Sequence, residues 1–211
     1  MRSDPRGSGC SRVLPGSFDL SILHATNPAR YPHLLESVAR GGAQARYDIL
    51  FAFPGRSLVL DADGALRLDD RLLRHTRFLD RWAELWREHA CTPDDAEATI
   101  PFSGGWFMFL AYELAAEIEP RLGPLRHGAA LPLAIATRFP AAVVRDHVRD
   151  ETILVCESDA HADLLPQMET DIGAARDIAD TDIALDHVQE ETPERYLEQV
   201  ERVQHYIGAG D

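Results

Sequence analysis

Pro101-Phe102-Ser103-Gly104-Gly105-Trp106-Phe107-Met108-Phe109-Leu110-Ala111-Tyr112-Glu113-Leu114-Ala115-Ala116-Glu117-Ile118-Glu119-Pro120 joins two adjacent glycines to the densest aromatic run of the chain. Phe107, Leu110, Ala111, Leu114, Ala115 and Ile118 recur at helical spacing, Ser103 is a helix-capping residue type, and Pro120 pushes Glu119 out of helical backbone. The spacing predicts a turn that launches a buried helix and stops at Pro120. Trp106, Phe109 and Tyr112 cover the face that Glu113 and Glu117 occupy further on, so the front of this helix is expected to be enclosed and its tail wet. Gly104 and Gly105 permit positive φ or a close backbone approach. A helix start behind them would offer N–H groups to an anion, but no Lys or third spaced glycine completes a phosphate-binding loop.

Outward from this stretch, Phe78, Leu79, Trp82, Leu85 and Trp86 fall at helical spacing with Arg77, Arg81, Arg87 and Glu88 between them, which predicts an amphipathic helix over 76–90. Residues 47–53 are apolar and aromatic. Ser57 to Asp61 returns to Leu66-Arg67-Leu68 through Ala62-Asp63-Gly64, the pattern of a hairpin. Cys91 to Ala98 is an acidic connector, and 121–130 is a Gly/Pro loop. Residues 133–139, 141–148 and 152–157 read as a three-strand meander, which supplies antiparallel sheet. Pro166 and Gly173 are expected to break 159–177 into short helical pieces. Thr192-Pro193-Glu194 is a strong helix start, Tyr196, Val200, Val203 and Ile207 form one stripe after it, and Gly208 is placed to end it.

The net charge of −14 opposes nucleic acid and anionic membrane as partners, since both would repel the chain. All 21 basic residues are Arg, so no Schiff-base lysine exists within it. Cys10, Cys91 and Cys156 are odd in number and far apart, which suggests neither a disulfide framework nor a zinc knuckle and fits a reducing cytoplasm. No signal-peptide core or membrane span is legible. The nine histidines form no metal-binding motif, and His33 four residues before Ser37 lacks an oriented third partner for hydrolytic chemistry.

The run Pro-Phe-x-Gly-Gly-(x)5-Ala-Tyr-Glu-Leu over 101–114 resembles the signature of the N-terminal domain of chorismate-using enzymes, the large subunits of aminodeoxychorismate synthase and anthranilate synthase. Tyr31 to Ser37, Ala45 to Phe51 and Tyr196 to Asp211 agree with it in order, from about residue 20 onward. Ala45 to Pro54 and Trp106 look more like the aminodeoxychorismate synthase branch. The resemblance implies an α+β fold of antiparallel sheets flanked by helices. By composition 1–17, poor in apolar residues and rich in turn formers, reads as a flexible tail and 181–191 as an acidic linker. The resemblance implies an N-terminal domain at 18–180 and, at 192–211, the first helix of a catalytic domain that this stretch does not contain. Chorismate and ammonia would give 4-amino-4-deoxychorismate for folate synthesis, with a glutamine amidotransferase subunit as partner and Mg2+ in the catalytic domain. No catalytic residue is assigned to these 211 residues. A tryptophan pocket is implied at Leu35, Glu36, Ser37, Gln44, Arg46 and Tyr47, with Ser37 accepting from the ligand's ammonium and Arg46 donating to its carboxylate. The alternatives are an anthranilate synthase component and, from a different class, a tryptophan-binding or interaction module without turnover.

Overall fold

The computed structural model describes residues 10–37, 45–89, 100–122, 131–176, 187 and 189–210. Strands are specified where apolar residues alternate or run uninterrupted. They are β1 (Cys10–Pro15), β2 (His33–Leu35), β3 (Tyr47–Ala52), β4 (Ser57–Leu60), β5 (Leu66–Leu68), β6 (Arg71–Leu73), β7 (Gly105–Leu110), β8 (Ala134–Phe139), β9 (Ala141–Asp146) and β10 (Glu151–Cys156). All pair antiparallel in two five-stranded sheets, ordered β1-β10-β9-β3-β2 and β6-β5-β4-β8-β7. The helices are α1 (Leu20–Thr26), α2 (Phe78–His89), α3 (Ala115–Ile118), α4 (Leu164–Ala174) and α5 (Pro193–Ala209). The fold is α+β, with the chain dividing into a unit of 1–178 and a unit of 179–211.

Within the first unit the pleat sorts side chains into three apolar layers. Leu50, Ala52, Val143, Leu154 and Cys156 point from the first sheet to Leu20 and Leu23 of α1 and Leu165 and Met168 of α4. Leu58, Leu60, Leu66, Ala134 and Ala136 point from the second sheet to Phe78 and Leu85 of α2. Covering each of these two helical residues contributes about 1.5–3 kcal/mol. Between the sheets Phe51 meets Phe102, Phe107 and Phe139, with ring centroids 5.1–5.6 Å apart, and His33 stacks on Phe107 at 3.9 Å. Tyr31, fully buried, donates to Asp171 on α4 at 2.6 Å, as does Arg30. Burial first, then that hydrogen bond, push the Tyr31 phenol well above its ordinary pKa.

The hairpin of β4 and β5 and the amphipathic α2 form where their spacing predicts. The central stretch does not. Residues 105–110 form β7, and only a 3-10 turn at Tyr112–Leu114 and the four-residue α3 follow. A six-residue apolar run fits either element by periodicity, and pairing along the whole of β8 decides for strand. Gly105 therefore starts a strand and offers no helix terminus to an anion.

The expected meander is also divided. β9 and β10 form a hairpin across Asp150, whereas β8 belongs to the other sheet, and the chain changes sheets at Pro140. Pro166 does not break α4, because it lies in the first turn, where its missing N–H has no partner to lose. The tail expected over 1–17 gives way at residue 10 to β1, which pairs with β10. The cysteines depart from expectation as well, since that pairing sets Cys10 opposite Cys156 and the two form a disulfide. In the second unit Thr192 caps α5 by accepting from the Arg195 N–H. Gly210, in left-handed backbone, ends the helix two residues beyond Gly208. No residue of α5 is buried. The connector 91–98 and most of 121–130 and 180–191 lie outside the described residues.

Glu117, expected on a wet tail, has a structural task. Its carboxylate accepts from the N–H groups of Phe78 and Leu79, both at 3.0 Å, and its carbonyl accepts from Arg77 at 2.9 Å. It thus caps α2 from 39 residues away and places negative charge at the positive end of the helix. Glu117→Ala should lower unfolding stability by about 1–2 kcal/mol in a urea titration, with Glu117→Gln intermediate because one acceptor oxygen remains. Unchanged stability in Glu117→Ala would remove the capping role.

Candidate functional site

β2 and β3 bring the two halves of the expected pocket to one corner of the first sheet. Leu35, the last residue of β2, pairs with Ile49 and is half exposed, and Glu36 after it is exposed. Ser37 then closes on the start of β3. Its N–H donates to Asp48 at 2.8 Å, and its hydroxyl donates to the Tyr47 carbonyl at 3.0 Å. Gln44 lies outside the described residues. Arg46 and Tyr47 stand at the start of β3, the guanidinium 4.7 Å from the centre of the Tyr47 ring.

Three neighbours that sequence reading did not single out organise this corner. Asp146, at the end of β9 and 1% exposed, accepts from Arg46 Nη2 at 2.6 Å and from Nε at 3.1 Å. Its Oδ1 also accepts from the N–H groups of Val148 and Arg149. Asp48, 3% exposed, accepts from Ser37 and lies 2.7 Å from His147 Nε2. A carboxylate oxygen accepts, so Nε2 carries the hydrogen. The His147 N–H donates to the Arg46 carbonyl at 2.9 Å and completes the ring of contacts. The available signal was a charge inside an apolar strand, because Asp48 interrupts Tyr47 to Ala52 and a buried Asp requires partners.

The corner can offer acceptors more readily than donors. Ser37 keeps acceptor capacity after donating its hydroxyl hydrogen, which suits an ammonium group. Arg46 is committed to Asp146 in a fork-to-carboxylate geometry, so an incoming carboxylate would have to share that fork. Among the described residues no three His, Cys, Asp or Glu side chains are placed to hold a metal ion. No described helix is long and apolar enough to cross a membrane.

The Gly-Gly turn is held by a different pair. Arg138, 7% exposed, donates to the carbonyls of Gly105 and Phe139 at 2.7 and 2.8 Å and forms an ion pair with Glu157. A Cβ on Gly104 would lie 2.8 Å from Glu157 Cβ, and the backbone there has φ of +99°. Glycine is required at 104 on both grounds.

No protein-family model matches the chain. No curated protein matches it. Among solved structures, anthranilate synthase component I from Streptococcus pneumoniae TIGR4 shares the fold, with a TM-score of 0.55 and 21% identity, covering 82% of this chain. The chain spans 40% of the length of that protein.

The Asp146 carboxyl is held below the ordinary range by its hydrogen bond to Arg46, with burial opposing and the Val148 and Arg149 N–H groups assisting. Its folded-state pKa is thus lower than the unfolded value of about 3.9. The stability it contributes is complete above that value and is lost as pH falls through the folded one. Urea titrations between about pH 2 and 5 should show a steeper acid loss for the native chain than for Asp146→Asn. Parallel acid limbs would show that Asp146 is not differentially stabilised.

Proposed function

We propose that the chain is the N-terminal portion of a chorismate-using enzyme of the aminodeoxychorismate synthase component I type. The observation that carries this reading is the fold shared with an anthranilate synthase component I over 82% of the chain. The 101–114 run supports it from the sequence side, as does the agreement of 45–54 and Trp106 with the aminodeoxychorismate branch. In this reading 18–180 is the N-terminal domain, 181–191 a linker and 192–211 the first helix of the catalytic domain. Chorismate, Mg2+ and ammonia from a glutamine amidotransferase subunit act at that catalytic domain, in the cytoplasm. The acids described here do not cluster as a magnesium site, so no step through the metal is assigned to them. Anthranilate synthase component I is the second reading, favoured by the identity of the structural neighbour.

The 211-residue chain, given chorismate, ammonium and magnesium, should yield no aminated product, and turnover above a blank would place catalysis inside it. The product of the whole reading frame that contains it should make 4-amino-4-deoxychorismate under the same conditions. Anthranilate instead would move the assignment to the second reading.

We also propose that tryptophan binds at the corner formed by Leu35, Glu36, Ser37, Arg46 and Tyr47, with Gln44 joining them on the resemblance alone. The ammonium would meet the Ser37 hydroxyl oxygen, and the carboxylate would compete with Asp146 for Arg46. Calorimetry should detect binding that Ser37→Ala weakens. No heat up to millimolar tryptophan would remove the pocket.

A further inference from the structure

Cys10 and Cys156 are register partners on β1 and β10, 146 residues apart in sequence, with Cα atoms 5.2 Å apart and their sulfurs bonded. That Cα spacing lies inside the range that disulfides span, so the strands need not move for the bond to form. Cys156 is 1% exposed and packs in the core beside Leu165 and Met168, whereas Cys10 is partly exposed on the edge strand. A shallow cleft lined by Ser11, Ile100, Phe102, Ser103 and Val155 has both Cys10 and Cys156 in its wall. Cys10 is the more exposed residue of the two, so a small thiol or disulfide meets it first.

β1 depends on this link more than any other strand of its sheet. Among the described residues it has one strand partner, no residue in it is buried, and Val13 is 53% exposed. Besides the ladder, Arg12 pairs with Glu169 of α4, with the Arg12 side chain 46% exposed, where an ion pair adds little. Thr152 donates to the Gly16 carbonyl and accepts from the Phe18 N–H just beyond the strand. β10, by contrast, is paired on both edges and buried at five of its six residues.

We propose that Cys10 and Cys156 form a site of reversible thiol–disulfide exchange that fastens and releases the edge strand β1. To close it, the Cys10 thiolate attacks one sulfur of a small-molecule disulfide, and one thiol of that molecule leaves. The Cys156 thiolate then displaces the second thiol from the mixed disulfide. Two electrons and two protons pass from the cysteine pair to the oxidant. A small thiol reverses both steps, beginning at Cys10.

The folded chain is equilibrated with reduced or oxidised glutathione, quenched with an alkylating agent and mapped by peptide mass, with hydrogen exchange measured on each form. The oxidised form should link the Cys10 and Cys156 peptides and leave Cys91 alkylated. Residues 10–15 should exchange at least about tenfold faster in the reduced form, with 151–156 unchanged. Cys10→Ser should behave as the reduced form under both conditions and keep the far-ultraviolet spectrum of the native chain. A linkage that includes Cys91, a bond that glutathione cannot reduce without denaturant, or equal exchange of 10–15 in both forms would overturn the proposal.

Discussion

The passage from β8 to β9 through Pro140 is the constraint on which the first unit depends. Phe139 ends a strand of one sheet and Ala141 begins a strand of the other, so a single residue carries the chain between layers. Proline suits that place because a corner needs no ladder N–H from it, and its carbonyl still accepts from Glu157 at 2.8 Å. Around the corner Arg138 and Glu157 form an ion pair with little water, a situation in which charges destabilise unless their remaining hydrogens are satisfied. The carbonyls of Gly105 and Phe139 meet that need in part. The same pair fixes where β7 starts, since Gly104 fits against Glu157 only without a Cβ.

How far the sequence disclosed this depended on the range of the interaction. The hairpin of β4 and β5 and the apolar face of α2 are local patterns, complete within about a dozen residues. β7 is not local in that sense. Trp106 and Met108 serve one face of their sheet and Phe107 the other, so both faces are apolar and the alternation that marks a strand is erased. Spacing at 107, 110, 111 and 114 then imitates a helix. The link of β1 to β10 and the capping of α2 by Glu117 join residues too distant for any window to connect.

The candidate site was legible in its resembling residues and illegible in their supports. Ser37, Arg46 and Tyr47 meet at one corner of the first sheet. Nothing at 37–47 announced that Asp146 and His147, about a hundred residues on, would engage the guanidinium and the neighbouring Asp48. The hint lay in residue type, because a carboxylate within an apolar strand must be matched by buried donors.

Those supports set which ligand charge the proposed pocket would favour. Asp48 and Asp146 are both almost wholly buried, and Arg46 is the one permanent cation bonded to either of them among the described side-chain contacts. Removing Arg46 from Asp146 would leave a carboxylate buried without its main partner, which is costly. The guanidinium is therefore held by the protein's own carboxylate before any ligand arrives. An incoming carboxylate gains only what it can share of that fork and meets the repulsion of Asp146. An ammonium group would meet the Ser37 oxygen and the field of Asp48, since Arg46 already offsets the charge of Asp146. In the proposed pocket, discrimination would consequently rest first on positive charge in the ligand, with any carboxylate contact secondary.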